Sequence, residues 1–181
     1  SGSGEYFNGK QAISTHFTNY HEVSTTANDA ATLAGLLVGK HVFWVPEQEL
    51  SSSATLDSLG TAWSTVLNNF VTAGGTIIVC SNTTAEHLLF TRSGLLDLTP
   101  VNVPVSAAVT KVADTELTTG VVAPFTGNWL HTYGTTNGTV SLQVGPGEGI
   151  VISRTVGAGR VIMIGTDYYT LGTPLDRVLA N

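Results

Sequence analysis

Apolar positions in the first half of the chain recur in two alternating rhythms. Ile13, Phe17 and Tyr20 stand at i, i+4 and i+7, which predicts a short amphipathic helix over 9–20. Residues 21–25 read as a short strand. Asn28 is placed as an N-cap for a second helix whose face is Leu33, Leu36 and Leu37 and whose stop is Gly39. The continuous apolar run 41–45, closed by Pro46, suits a strand covered on both faces. Ser51 to Ser53 then offer caps for the clearest helix, with Leu56, Leu59, Trp63, Val66, Leu67 and Phe70 on one side and Gly74-Gly75 at its end. A strand over 76–80 follows, and a helix over 84–90.

This alternation predicts an α/β fold, doubly wound, with a mainly parallel sheet and helices on both faces. In such sheets ligands gather beyond the carboxyl ends of the strands. Here those ends are 46–49, 80–82 and 165–169. From Val101 onward the chain turns Thr-, Val- and Gly-rich, predicting an additional β-rich segment over about 101–160, inserted near one edge of the sheet. Within it, 149–154 and 160–164 form a hairpin across 156–159. Residues 175–181 begin a last helix. Residues 1–8, opening on Ser-Gly-Ser-Gly, read as a flexible segment, leaving 9–181 as a single domain.

Composition narrows the partners. Seven Lys and Arg against 13 Asp and Glu give a net charge of −6, and the basic residues are scattered singly. No face can neutralise a run of phosphates, so no nucleic-acid partner is expected. No apolar run approaches the roughly 18–20 residues needed to cross a bilayer, so no membrane insertion is expected. Charged residues are only 11% of the chain, and Thr, Ser, Asn and Gly carry the polarity. That surface predicts a secreted or cell-surface location. Asn82-Thr83-Thr84 and Asn137-Gly138-Thr139 are glycosylation triplets by pattern.

Candidate chemistry centres on the one cysteine. Cys80 ends the strand 76–80, where a nucleophile could be mounted or where a small buried residue could sit. A reactive thiol needs a base or an electropositive neighbour. His87 is the nearest histidine in sequence; His16, His21, His41 and His131 lie in other segments. Glu47 and Glu49, two apart in extended chain, point the same way. With Asp167 they make a carboxylate cluster suited to acid–base work or to Ca²⁺, although no glycine-centred calcium loop surrounds them, and no metal or other cofactor is expected. Aromatics beside polar groups, in 129–133 and at Asp167, Tyr168 and Tyr169, suit a sugar ring and its hydroxyls, with Asn82 close by. The glycine-rich stretches 145–149 and 157–159 are hairpin turns, with no Lys-Ser/Thr to make a phosphate loop.

Residues 36–53, 67–82, 114–120 and 152–169 together resemble the class I glutamine-amidotransferase-like fold, and within it branches related to trehalose-utilisation-type proteins. The family carries its cysteine in Gly-x-Cys-x-Gly after the strand matching 76–80, and a His-x-Glu pair after the strand matching 161–165. Here Ile78 and Asn82 occupy the glycine positions, and Thr166-Asp167-Tyr168-Tyr169 contains no histidine. The resemblance implies the fold with the catalytic residues not retained. It also implies a first strand in mid-sheet that residues 1–8 do not supply. That gap fits a piece of a longer chain, a sheet arranged differently from this reading, or a strand donated by another copy.

Three functions follow as expectations. The first is a non-catalytic structural or ligand-binding module, its ligand residues Glu47, Glu49, Asn82, Asp167, Tyr168 and Tyr169, its partners other copies or other domains. The second is a cysteine-dependent hydrolase or amidotransferase-like enzyme using Cys80, with His87 as base and Asp167 or Glu47 to orient it. The third is a carbohydrate-binding module with a glycan partner.

Overall fold

The computed structural model describes residues 3–82, 85–170 and 172–181. In chain order the elements are α1 (Ser3–His16), α2 (Ala30–Leu37), β1 (Val42–Val45), α3 (Ser53–Ala62), α4 (Ser64–Thr72), β2 (Thr76–Cys80), α5 (His87–Ser93), β3 (Thr99–Asn102), β4 (Ser106–Lys111), β5 (Phe125–Asn128), β6 (Thr132–Gly134), β7 (Thr139–Gln143), β8 (Gly149–Val156), β9 (Gly159–Ile164) and α6 (Pro174–Ala180). Together they make a mixed α/β fold.

Among the described residues nine strands share one sheet in the order β1-β2-β9-β8-β7-β4-β5, with β6 joined to β8 and β3 to β6. Only β1–β2 and β2–β9 are parallel. The expected mainly parallel, doubly wound sheet is therefore corrected: most pairings are antiparallel. The reason is local. β8 and β9 are joined by a two-residue turn at Gly157-Ala158, too short for the crossover that parallel neighbours need. The segment 101–160 extends the sheet itself rather than standing beside it.

Alternation along the strands divides the interior in two. Ile77, Val79, Val161 and Met163 face α2 and α4 through Leu33, Leu37, Leu67 and Val71. Ile78, Cys80, Ile162 and Ile164 face the other way, toward Ala12 of α1 and Leu175, Val178 and Leu179 of α6. Period-two side chains on a covered strand must feed both layers. Helices thus lie on both faces, as expected.

Several boundaries move. Helix α1 begins at Ser3, so the described part of the supposed flexible segment is helical. Asp29, not Asn28, caps α2, its carboxylate accepting from the Thr32 amide. Ser52 caps α3, but the long helix predicted to 73 breaks at Trp63 into α3 and α4. Residues 21–25 form no strand. The predicted helix over 84–90 lies over His87–Ser93, closed by Gly94 in the left-handed region at φ 72°; Thr84 is outside the described residues. Finally, β1 and β2 pair along their whole length, Val42 opposite Thr76 through Val45 opposite Val79.

Candidate functional site

The parallel strands end together, and each end carries polar groups. After β1 come Glu47 and Glu49; after β2, Ser81 and Asn82; after β9, Thr166 and Asp167. Asn82 and Asp167 meet directly, the Asn82 amide donating to Asp167 Oδ2 at 2.9 Å. Asp167 Oδ1 accepts from the Tyr169 amide at 2.8 Å. Burial raises the Asp167 pKa, against these hydrogen bonds, which lower it.

Glu5, from the segment read as a linker, reaches the same place. Its carboxylate and those of Glu47 and Glu49 each bring an oxygen within 4.8 Å of the others. Glu5 is 7% exposed and Glu47 2%. Burial, then the charges of Glu49 and Asp167, push the Glu5 pKa up. Helix α1 is anchored here by packing and by hydrogen bonds. Tyr6 stacks on Trp44 with ring centres 5.8 Å apart, and the Asn8 amide donates to the carbonyls of Tyr168 and Tyr169, both at 3.0 Å.

Cys80 lies beneath this surface. It is 1% exposed, and the Trp44 indole nitrogen donates to its sulfur at 3.4 Å. Burial, with the nearby charges of Glu86, Glu47 and Asp167, pushes the thiol up to about 12, against a smaller lowering by the Trp44 hydrogen bond. Such a thiol stays protonated at neutral pH.

The expected base is elsewhere. His87 packs against Tyr133 (5.5 Å between ring centres) and His131 (6.3 Å). Tyr133 donates to Ser81 Oγ at 2.9 Å and shares a hydrogen bond with His131 Nδ1 at 2.8 Å. Burial lowers both histidines, His131 to about 4, with the charge of His87 lowering it further. This is a neutral, buried polar cluster on the far side of β2 from the sulfur. The Glu86 carboxylate, fully buried, accepts from the Gln48 amide at 2.6 Å and so fixes the loop carrying Glu47 and Glu49.

Beside Asp167 is a shallow cleft lined by Asn128, Trp129, Thr166, Tyr169 and Thr173. Trp129 is 43% exposed and Tyr169 63%. Two non-glycine residues here occupy the left-handed region, Trp129 at φ 51° and Tyr168 at φ 62°. Such strain concentrates at functional sites. At Tyr168 it drives the ring into the interior, where its hydroxyl donates to the Leu175 carbonyl at 3.0 Å. The expected ligand residue Tyr168 is thus a core residue, Asp167 is buried beside it at 7% exposure, and Tyr169 stays at the surface.

Of the residues singled out by sequence, the fold brings Glu47, Glu49, Asn82 and Asp167 to one end of the sheet. It does not bring His87 to Cys80. Glu5 and Glu86 had no local signal, since their roles depend on helix docking. The triplet at Asn82 loses its meaning in the folded chain: the amide is buried on Asp167, and Thr83 and Thr84 lie outside the described residues.

No family model and no curated protein sequence matches the chain. Solved structures do. A ThuA-like protein from Bacteroides uniformis superposes with TM-score 0.61 at 12% identity, over 99% of this chain and 84% of that one. A β-galactosidase from Bacillus circulans sp. alkalophilus gives 0.59 at 10% identity, over 97% of this chain but only 25% of its own length. A cytoplasmic protein from Salmonella typhimurium LT2 gives 0.52 at 12% identity, over 88% and 76%. At these identities the likeness is one of fold, and it is consistent with the expected ThuA-like, amidotransferase-like architecture. The expected secreted or cell-surface location is corrected, because this Salmonella neighbour and a second one are both described as cytoplasmic.

Proposed function

We propose that this chain is a non-catalytic ligand-binding module whose site lies at the carboxyl ends of β1, β2 and β9. One observation carries the reading: carboxylates and an amide converge there, while the thiol that would do chemistry is buried beneath them and held protonated. The ligand class is polyhydroxylated. Exposed Trp129 and Tyr169 offer planes for the apolar face of a sugar ring, and Asn128 and Asp167 line the same cleft with groups for its hydroxyls. The same fold forms one quarter of a chain described as a β-galactosidase, so it occurs as part of larger carbohydrate-active proteins.

Two measurements test this. Iodoacetamide labelling of folded protein across pH should be slow, with Cys80 reacting fully only on denaturation. Rapid labelling with a midpoint well below about 8.5 would mean an activated thiolate and an enzyme. Glycan-array binding, weakened at least tenfold by Trp129→Ala, should identify the sugar. Labelling as slow as expected but no glycan bound at millimolar concentration would remove the polyhydroxylated class.

A further inference from the structure

Glu5, Glu47 and Glu49 come from two separate parts of the chain, helix α1 and the loop after β1. Folding brings three like charges together with little water between two of them. At neutral pH that arrangement costs free energy unless something positive answers it. Exposed glutamates can turn away into solvent. Glu5 and Glu47 are buried and cannot.

Spacing says what would answer it. A cation held by oxygens at about 2.4 Å keeps any two of its ligands within about 4.8 Å of each other. All three carboxylates meet that limit at once. Two further observations come from side chains more than nine-tenths buried. Glu5 Oε2 has no hydrogen-bond partner among the described residues, and neither has Asn82 Oδ1. Asn82 is held by its amide nitrogen on Asp167. Turning that amide over would set its oxygen against a carboxylate oxygen, so Oδ1 remains an acceptor with nothing to accept. Buried acceptors of this kind are rare without an ion or water to serve them.

We propose that Glu5, Glu47 and Glu49 bind a hard divalent cation, Ca²⁺ in preference to Mg²⁺, with the Asn82 carbonyl oxygen and Asp167 at its margin. The donors are all oxygens, which excludes the thiolate- and imidazole-seeking metals. Two of the donors sit on a loop and one on a helix. Such a set adapts to the irregular coordination of Ca²⁺ more readily than to the strict octahedron of Mg²⁺. Binding closes α1 onto the loop after β1 and completes the acidic end of the sheet. The inference shares the ligand site proposed above, but it does not depend on a sugar.

The test is thermal unfolding of the full chain, chelator-treated and then titrated with CaCl₂, MgCl₂ or MnCl₂ at constant ionic strength. Ca²⁺ should raise the melting temperature saturably, by roughly 5–10 °C at a hundredfold excess over Kd. The response should weaken at least tenfold in Kd from pH 7.5 to pH 5, because protons compete for the same oxygens. Glu47→Gln and Glu49→Gln keep the shape and relieve the repulsion. Each should unfold no earlier than the native chain without metal and should lose the Ca²⁺ response. Glu148→Gln, on the turn between β7 and β8, should keep it. No saturable shift with Ca²⁺, a shift that survives Glu47→Gln, or equal shifts with all three metals that Glu148→Gln also abolishes would each overturn the site. The slow labelling of Cys80 and the glycan result stand or fall separately.

Discussion

Histidines usually titrate near physiological pH, and here two are held neutral. His131 and His87 are buried around the Tyr133 hydroxyl, with His131 lowered to about 4. In the unfolded chain each takes up a proton near its ordinary value of 6.5. Between pH 6.5 and about 4 the unfolded state therefore binds more protons, and stability falls as pH drops through that window. Urea unfolding at pH 7 and pH 5 should show the native chain losing about 1 kcal/mol more than His131→Asn, allowing for water that reaches the ring. Equal losses would mean that His131 is not kept neutral. Glu5 works in the opposite sense: its raised pKa favours the protonated form when folded, so its contribution is lost as pH rises above 4.5. Neither shift is visible in the sequence, where His131 and Glu5 are a histidine in a Thr-rich stretch and a glutamate beside glycines. Both arise from burial by elements distant in the chain.

Among elements, the decisive contact is a close one. Gly165 follows β9, and a Cβ there would overlap the His131 carbonyl oxygen. In the same place His131 donates its amide to the Gly165 carbonyl at 3.0 Å, and Leu130 bridges Thr166. Only a residue without a side chain lets the strand end lie this close to the 129–131 segment. The junction sets both Asp167 and Trp129. Gly165→Ala should cost about 3 kcal/mol or more in equilibrium unfolding, far beyond the loss for an ordinary exposed glycine. A cost under about 1 kcal/mol would show that the junction yields easily. Element type was largely legible: the helix faces at Leu33 and Leu37 and at Leu67, and the strands at 42–45, 76–80 and 159–164, follow from period and from glycine stops. The break at Trp63 was not, because an unbroken apolar face runs through it.

The whole molecule has two apolar interiors separated by one sheet. Leu67 belongs to the first and Leu179 to the second. Truncating either to alanine should cost about 2–5 kcal/mol. Because the sheet stands between them and they share no packing cluster, the double variant should lose the sum of the two within about 0.5 kcal/mol. A larger discrepancy in denaturant unfolding would mean that the layers communicate through the strands.

The chain's own pattern determined that strands alternate with helices in the first half, that 76–80 is a largely buried strand, and that carboxylates follow the strand ends. These depend on residue type and local period, which neighbouring positions alone settle. Tertiary structure decided the rest. It made the sheet mostly antiparallel, because strand partners are chosen by turn length and long-range register rather than by hydrophobicity. It buried Cys80 under Trp44 and sent His87 to the other side of β2. And it carried Glu5, from a stretch that reads as linker, into contact with Glu47 and Glu49, since docking a helix brings together charges that no sequence spacing predicts.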